Sequence, residues 1–564
     1  MWTRLGRRRF AGSCTYAAIV AGSIAAMAAS SPAQAGNGVK TPTPAPILTS
    51  NQLLAKAVPD ECFNGIGVDY PPMNADGTCP EGIPKTNESR IWGMTEESGK
   101  LWFGTLANSQ CVVDGQIKGD PILNNLFVCE FGQSEYARTH PNLPAALGDW
   151  RPPSIYSYDL ATGTLVKHEI PDAAINATLG IRGAGSIDNI AFLGGQGVFG
   201  SSNTINIFAF VADTGEYLGS CTRTDYNYIR SWKVVDGVLY VGAGSTTHGA
   251  VLRWNGNLAS FSGNFCSAFS EVAALPADVA NVTLYTGGDG QDRLAVTTVP
   301  LRSGGDASGI GTWISPPLGT TGLTTLAAGN WRQVWSPLQY DPDKVVARYG
   351  YSGGAIQQYD GWLYWGTIHL AGNAALGVHE KCTASFCFGM PANDQELQAL
   401  EAGVYRSTSV WRGRNLEDPL RREVQLLYGE SELPACCSAP KTFAMTPTGW
   451  TPLYGASGFG NPNNEYTWTM AVFDGHLFIG TYDTSLIQGV LPEAGADLWR
   501  FDSSDSPAVN ENYTGLGNRL NSGLRNMAPL DDGSGVIVGT SNPNNLSPGG
   551  GWELRLLKEG GGSQ

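Results

Sequence analysis

Charged side chains are scarce in this sequence of 564 residues. Asp, Glu, Lys and Arg make up 15% of it, where soluble domains carry roughly 25%. Disorder is excluded as the main state, because disordered chains are rich in charge and poor in aromatics, whereas 10% of these residues are aromatic. Lysines and arginines (35) are outnumbered by acids (50), for a net charge of −15. This balance argues against a nucleic-acid partner, which needs a basic surface.

Glycine, in contrast, is abundant, with 73 residues. It has no three-residue period, which excludes collagen. Together with 16 tryptophans, it describes a chain with a large core and many tight turns.

Long apolar stretches are absent beyond the first 35 residues. Arg4 and Arg7–Arg9 precede an apolar stretch over 17–29 and an A-x-A pattern ending at Ala35. This order is typical of a signal peptide cleaved after Ala35. Gly6-Arg7-Arg8-Arg9-Phe10 fits either a twin-arginine export motif or an ordinary basic region. We therefore expect an exported monomer, periplasmic or extracellular, with no transmembrane segment.

Ten cysteines remain after cleavage, an even number that indicates disulfides in an exported protein. Local pairing predicts Cys62–Cys79, Cys111–Cys129 and Cys221–Cys266. The other four are expected to pair among themselves: Cys382, Cys387, Cys436 and Cys437.

A short phrase recurs along the chain: a turn with glycine, a β-rich run, then glycine and a small residue. Five clear copies start at Gly99, Gly237, Gly361, Gly475 and Gly535, and degenerate copies lie at 195–200 and 289–296. Asp-Gly before three of the runs is a strong hairpin signal. A third short β run follows most copies, as at Leu498-Trp499-Arg500. No convincing amphipathic helix interrupts the pattern.

Seven repeats of this kind predict an all-β, seven-bladed β-propeller over 85–557. Residues 36–84 are expected to form a linker and N-terminal extension, and 558–564 a flexible tail. The spacing leaves insertions at 106–152, 368–402 and 413–450, on the face where propellers usually bind ligands. Cysteines in these segments are expected to pin them as walls or a lid over a pocket, although they could instead protect sheet edges.

The segment from Gly458 to Arg500 resembles repeats of bacterial secreted propellers loosely related to sialidases. It contains Phe473-Asp474-Gly475-His476-Leu477-Phe478-Ile479-Gly480-Thr481 and Asp497-Leu498-Trp499-Arg500. The sialidase Asp-box is absent, so the resemblance implies architecture and not sialidase activity. A weaker resemblance, at Ala209–Tyr217, is to quinoprotein dehydrogenase repeats, and the adjacent pair Cys436-Cys437 is similar to the vicinal disulfide of some of them.

The first strand of each blade lines the central channel. Positions nine and seven residues before the hairpin glycines lie two apart on this strand, so their side chains project to the same side. The residues at these positions include Arg90, Trp92, Tyr228, Arg230, Tyr466 and Trp468. Arg525 and Arg182 lie close to the corresponding positions of their own repeats. Converging arginines suit a carboxylate or sulfate, and tyrosine and tryptophan beside them suit a sugar ring. Alternatively, each arginine could pair with an acid of a neighbouring blade.

His248 and His369 follow second strands at similar offsets, so both are expected on the ligand face. Either could act as a general base or metal ligand, or be a polar loop residue. The sequence does not identify a metal site or a cofactor, calcium and a quinone included.

These features predict a secreted propeller that binds a small-molecule or glycan ligand, anionic or carbohydrate-like, in a lidded pocket at the channel mouth. The alternative is an extracytoplasmic enzyme: a polysaccharide lyase or glycosidase-like protein, or a quinone-dependent dehydrogenase. A lyase would need histidine or tyrosine close to the arginines.

Overall fold

The computed structural model describes residues 44–112, 120–147, 149–198, 203–302, 309–381, 393–436, 441–486 and 495–560. The predicted signal peptide, Cys382, Cys387, Cys437 and residues 561–564 lie outside these ranges. Within them, no helix is long and apolar enough to cross a lipid bilayer.

The described residues form seven antiparallel sheets of four strands each. The blades, each given from its innermost to its outermost strand, are: blade 1, Glu88–Glu97, Lys100–Ala107, Ile155–Asp159, Leu165–His168; blade 2, Thr178–Ile187, Ile190–Gly197, Ile205–Val211, Tyr217–Arg223; blade 3, Tyr226–Val235, Val238–Ser245, Gly249–Trp254, Phe269–Leu275; blade 4, Asp278–Thr286, Asp292–Val299, Thr312–Ile314, Arg332–Trp335; blade 5, Tyr351–Tyr359, Trp362–His369, Val410–Arg414, Glu423–Tyr428; blade 6, Asn464–Phe473, His476–Asp483, Leu498–Phe501, Val509–Asn512; and blade 7, Gly523–Pro529, Val536–Ser541, Glu553–Lys558, Ser50–Lys56.

The innermost strands form a closed ring. Each lies beside the innermost strand of the next blade, and that of blade 7 lies beside that of blade 1. This arrangement is a β-propeller, as the repeats predicted.

Both ends of the chain build blade 7. Ser50–Lys56 adds as its outermost strand, with Ser50 opposite Lys558 and Lys56 opposite Glu553. The propeller therefore begins before residue 85, and part of the predicted N-terminal extension belongs to it.

The repeated glycine of each second strand makes room for the neighbouring blade. A Cβ at Gly104 would lie 2.3 Å from the Cβ of Ile181, and a Cβ at Gly366 would lie 2.2 Å from the Cβ of Thr467. Between blades 4 and 5 the roles are exchanged, since Thr297 packs against Gly353. The repeated sequence therefore serves two purposes: it forms a turn, and it allows close contact between neighbouring blades.

Our prediction for the second repeat was wrong in register. The blade 2 hairpin turns at Asp188 and Asn189, whose φ angles of 53° and 62° are positive, and its second strand is Ile190–Gly197. Gly194 then occupies the interblade position, where a Cβ would lie 2.8 Å from Ile229. Asp and Asn tolerate positive φ, so they replace the Asp-Gly pair of other blades.

The expectation that no helix interrupts the strands was also wrong. Helices occur at Glu135–Thr139, Lys344–Tyr349, Ala371–Lys381 and Asp394–Val404. The last begins where the Asn393 side chain accepts from the Glu396 backbone N–H, and it buries Leu400 and Val404 one turn apart.

Short connections complete the chain. Two-stranded ribbons pair Glu61–Phe63 with Ile83–Lys85, Ile122–Leu123 with Val128–Cys129, and Glu432–Cys436 with Phe443–Pro447. Single 3₁₀ turns occupy Ala145–Leu147, Ala173–Ala177, Leu258–Ser262, Phe265–Ala268, Thr325–Ala327, Pro337–Gln339 and Ser457–Gly460.

The three predicted local disulfides are confirmed: Cys62–Cys79, Cys111–Cys129 and Cys221–Cys266. Cys436 is also disulfide-bonded. Cys111–Cys129 lies within the blade 1 insertion and pins it, as expected. The insertions after the second strands of blades 1 and 5 leave from the end of the propeller where the first strands begin, which we call the insertion face.

Candidate ligand-binding site

Every innermost strand carries one extra residue at the same level of the channel. The antiparallel register with the second strand shifts there in all seven blades. A bulge of this kind bends a strand and redirects a side chain. The residues in the shifts are Trp92, Arg182, Arg230–Ser231, Ala280, Gly354–Ala355, Trp468 and Arg525. Five of the seven blades thus place a large aromatic or cationic side chain at this level.

The central cavity has a volume of about 180 Å³ and is lined by residues from all seven blades. Its charged lining residues are Arg182, Arg230, Lys233 and Arg525, and no Asp or Glu stands among the described residues that line it. A protein with a net charge of −15 therefore has a cationic channel.

The arginines rest on two aromatic platforms. The guanidinium carbons of Arg90 and Arg525 lie 5.2 and 5.6 Å from the ring centre of Trp468. On the other side, Arg182 lies 5.2 Å from the ring centre of Trp92 and 4.6 Å from that of Tyr228. Cation–π contacts hold each guanidinium in place without neutralising its charge.

These arginines have almost no polar partners. Within the described residues, the side chains of Arg90, Arg230 and Arg525 take part in no hydrogen bond or ion pair, and their Nε atoms are buried. Arg182 donates only to the side-chain oxygen of Gln196, at 3.1 Å. The alternative that each pairs with a neighbouring acid is wrong for this cluster.

The other buried arginines of the described residues all have polar partners, and most pair with an acid. Arg406 lies 2.8 Å from Asp341, and Arg500 contacts both Asp502 and Glu511. The lack of partners is therefore specific to the channel, and a buried cation without an anion is costly.

Burial and mutual repulsion both act on the cluster. Burial lowers the pKa of Arg525 well below its usual value, and the neighbouring arginines, Arg230 foremost, lower it further. Because a guanidinium keeps its proton at physiological pH, the shift reflects first the cost of burying this charge and then its repulsion by the other arginines, and an anion would offset both.

Tyr466 and Tyr228 lie beside the arginines and their aromatic platforms. The Tyr466 ring stacks on Tyr482 at 4.8 Å and meets Trp468 edge-on at 5.9 Å. Tyr228 is buried, and its hydroxyl has no hydrogen-bond partner among the described residues. The predicted residues Arg90, Arg230, Arg525, Tyr228, Tyr466 and Trp468 are thus brought together.

Sequence reasoning missed two charged residues beside the cluster. Arg302 donates to the backbone oxygens of Asn227 and Gly197, at 3.3 and 3.4 Å. Burial raises the pKa of Asp278 to about 7, although the Arg302 backbone N–H and the charges of Arg182 and Arg302 oppose the rise. Blade 4 turns through a longer loop than the other hairpins, so counting back from its glycine did not reach Asp278.

The two predicted histidines are placed elsewhere. His248 lies 3.0 Å from Glu271 and 3.0 Å from the Ser245 hydroxyl. His369 is fully buried against the rings of Tyr351 and Tyr405. Burial, reinforced by Arg406, holds the pKa of His369 well below its usual value. No contact in the described part of the chain joins either histidine to the arginines.

No site for a metal ion emerges among the described residues, where no three His, Cys, Asp or Glu side chains are grouped suitably.

No protein-family model and no curated protein matches the chain. Among solved structures, the polysaccharide lyase Uly1 is similar over 91% of this chain and 99% of its own, at 9% identity and a TM-score of 0.39. An α-L-arabinanase from Penicillium chrysogenum, solved with arabinobiose, matches 66% of this chain and 92% of its own, at 9% identity and a TM-score of 0.32. Sqt1 from Chaetomium thermophilum matches 84% and 97%, at 9% identity and a TM-score of 0.33.

Proposed function

We propose that this propeller binds an anionic, carbohydrate-like ligand in its central channel, at the level of the arginines. One observation carries the proposal: Arg90, Arg182, Arg230 and Arg525 converge without any carboxylate partner among the described residues. Guanidinium groups bind carboxylate and sulfate bidentately, so an anion would supply the missing acceptors.

The insertions support a walled pocket. Val112 and Trp150 of the blade 1 insertion pack with Trp92. Leu370, directly before the blade 5 helices, packs against Ile368 and Trp468. Each insertion therefore starts beside one of the aromatic platforms, where it can bound a ligand.

Binding can be tested by titration calorimetry with galacturonic-acid oligosaccharides and with inorganic sulfate. Replacing Arg525 by Met should lower affinity at least about tenfold, because a hydrogen bond to a charged group contributes roughly 1.5–3 kcal/mol. Arg421→Met, which removes an exposed arginine paired with Asp418, is the matched control. Failure of the wild-type protein to bind any of these anions would overturn the proposal.

A second candidate is a lyase, because Tyr228 offers an unpartnered hydroxyl beside Arg182. Arginine at a uronate carboxylate would stabilise negative charge that develops when the neighbouring C–H is deprotonated. Tyr228, as its phenolate, would take that proton, a C=C bond would form, the glycosidic C–O bond would break, and the proton would pass from Tyr228 to the leaving oxygen. Unsaturated products should form with the wild-type protein and not with Tyr228→Phe. Binding without any product would leave a binding module.

A further inference from the structure

The cationic cluster is divided between two places. Arg90 and Arg525 share the Trp468 ring, contributed by blades 1, 7 and 6. Arg182 lies on Trp92 and Tyr228, from blades 1 and 3, and its charge acts on Arg302, which donates to the backbone oxygen of Asn227, next to Tyr228. We call these the Trp468 set and the Trp92 set.

Separate packing holds the two sets. The Trp468 ring belongs to a buried cluster with Ile368 and Tyr482. The Trp92 ring belongs to another, with Leu106 and Leu179. The two aromatic rings thus pack in separate clusters, although Arg90 and Trp92 both come from the innermost strand of blade 1.

Arg230 repels arginines of both sets. Its charge acts on Arg182 of one set and Arg525 of the other. The repulsion therefore runs through the whole cluster, and one anionic group on one set would leave the other set unneutralised.

The negative charge of Asp278 acts on one of the two sets. Its charge stabilises Arg182 and Arg302. No ion pair among the described residues joins Arg90 or Arg525 to a carboxylate, and the neighbouring arginines lower the pKa of Arg525. The positive charge of both sets is therefore not fully balanced, and no ion pair balances that of the Trp468 set.

We infer that the ligand presents two anionic groups, one to Arg90 and Arg525 on Trp468 and the other to Arg182 and Arg302 beside Trp92. This inference rests on the proposed function and specifies its ligand class: an oligosaccharide with at least two charged units, either uronate or sulfate. Neighbouring charged sugars on one chain bind both sets at the entropic cost of one association.

The test compares galacturonic acid with digalacturonic acid, which repeats the same charged unit. The wild-type protein should bind the disaccharide at least about a hundredfold more tightly, as expected when a second charge-assisted contact is added intramolecularly. Arg525→Met and Arg182→Met should each reduce this ratio to about threefold or less, because one set remains. The double variant should bind neither sugar, and Arg421→Met should keep the wild-type ratio. A disaccharide with one uronate and one sulfate distinguishes the two anion chemistries.

The outcomes distinguish a failure of the two-anion inference from a failure of the proposed function. If both sugars bind the wild-type protein within about threefold of each other and Arg525→Met abolishes binding, a single anion subsite exists; the inference is then overturned and the proposed function stands. If neither binds, the proposed function itself fails. Should a methionine variant not fold, the wild-type ratio alone decides, and Arg525→Lys, which keeps the charge but loses the bidentate geometry, should lower it.

Discussion

Two kinds of buried arginine coexist in this molecule and differ in what faces the guanidinium. Arg406 meets the Asp341 carboxylate, which is itself buried. Arg525 meets an aromatic ring and other arginines. The first kind completes the fold, and the second is held at an energetic cost that only a ligand can offset.

Substitution by methionine should therefore act in opposite directions at these two positions. Arg406→Met leaves Asp341 buried without its partner and should cost about 3–5 kcal/mol. Arg525→Met removes a repelled charge and should leave the melting temperature unchanged or raise it. Calorimetric melting of the ligand-free variants measures both, and a large destabilisation by Arg525→Met would mean that Arg525 is structural.

A pH dependence should follow from Asp278, whose pKa burial raises to about 7. Below that pH the carboxyl is neutral; above it, its negative charge lies beside Arg182 and Arg302 and competes with an anionic ligand. Affinity for anions should thus fall as pH rises through about 7, and Asp278→Asn should remove that fall. Calorimetric titrations across this range provide the measurement, and an equal fall in both proteins would contradict the assignment.

Sequence periodicity revealed the cluster only in part. Arg90 and Arg230 lie at fixed offsets from two-residue turns, so strand parity placed them on the channel. Arg302 lies in a loop after a second strand, where no periodicity applies. His248 and His369 showed a similar offset too, but Glu271 binds one and burial isolates the other. Such neighbours come from distant parts of the chain and are invisible to local patterns.

At the scale of elements, the glycine of the second strand joins one blade to the next. The hairpin phrase predicted the strands, but its last glycine serves a contact that the sequence does not display. In blade 2 the phrase matched the wrong glycines, because Asp188 and Asn189 turn the chain earlier. Turn chemistry thus predicted the architecture better than the register.

Adding one methyl group at this contact should destabilise the propeller. Gly366→Ala places a Cβ 2.2 Å from the Cβ of Thr467, and overpacking of this kind costs roughly 1–3 kcal/mol. Gly372→Ala is the matched control, since it lies in a helix with open space around it and should be neutral or slightly stabilising. Urea unfolding of both variants is the measurement, and equal stabilities would refute the packing role.

At the scale of the whole molecule, a ring of blades must close on itself. The inner part is closed by contacts between blades 1 and 7: Ile91 packs against Gly539 of the second strand of blade 7, and the Asn526 side chain of its innermost strand donates to the Ile91 backbone oxygen. The outer part is closed by the chain, because Ser50–Lys56 pairs with Glu553–Lys558. From the sequence, residues 36–84 are predicted to form an extension, because Ser50–Lys56 lies far along the chain from its partner strand and carries no local hairpin signal.

Removing this closing strand should uncouple the two ends of the ring. A chain starting at residue 57 lacks Ser50–Lys56, leaves the edge of Glu553–Lys558 unpaired and loses Leu48 from the blade 7 core. A chain starting at residue 44 keeps every described residue and is the matched control. We expect a lower melting temperature and aggregation at the exposed edge for the shorter chain, measured by calorimetry and light scattering.

Because the arginines of blades 1 and 7 lie on either side of this closure, the shorter chain should also lose anion affinity. Unchanged melting and binding would show that inner-strand packing alone closes the ring.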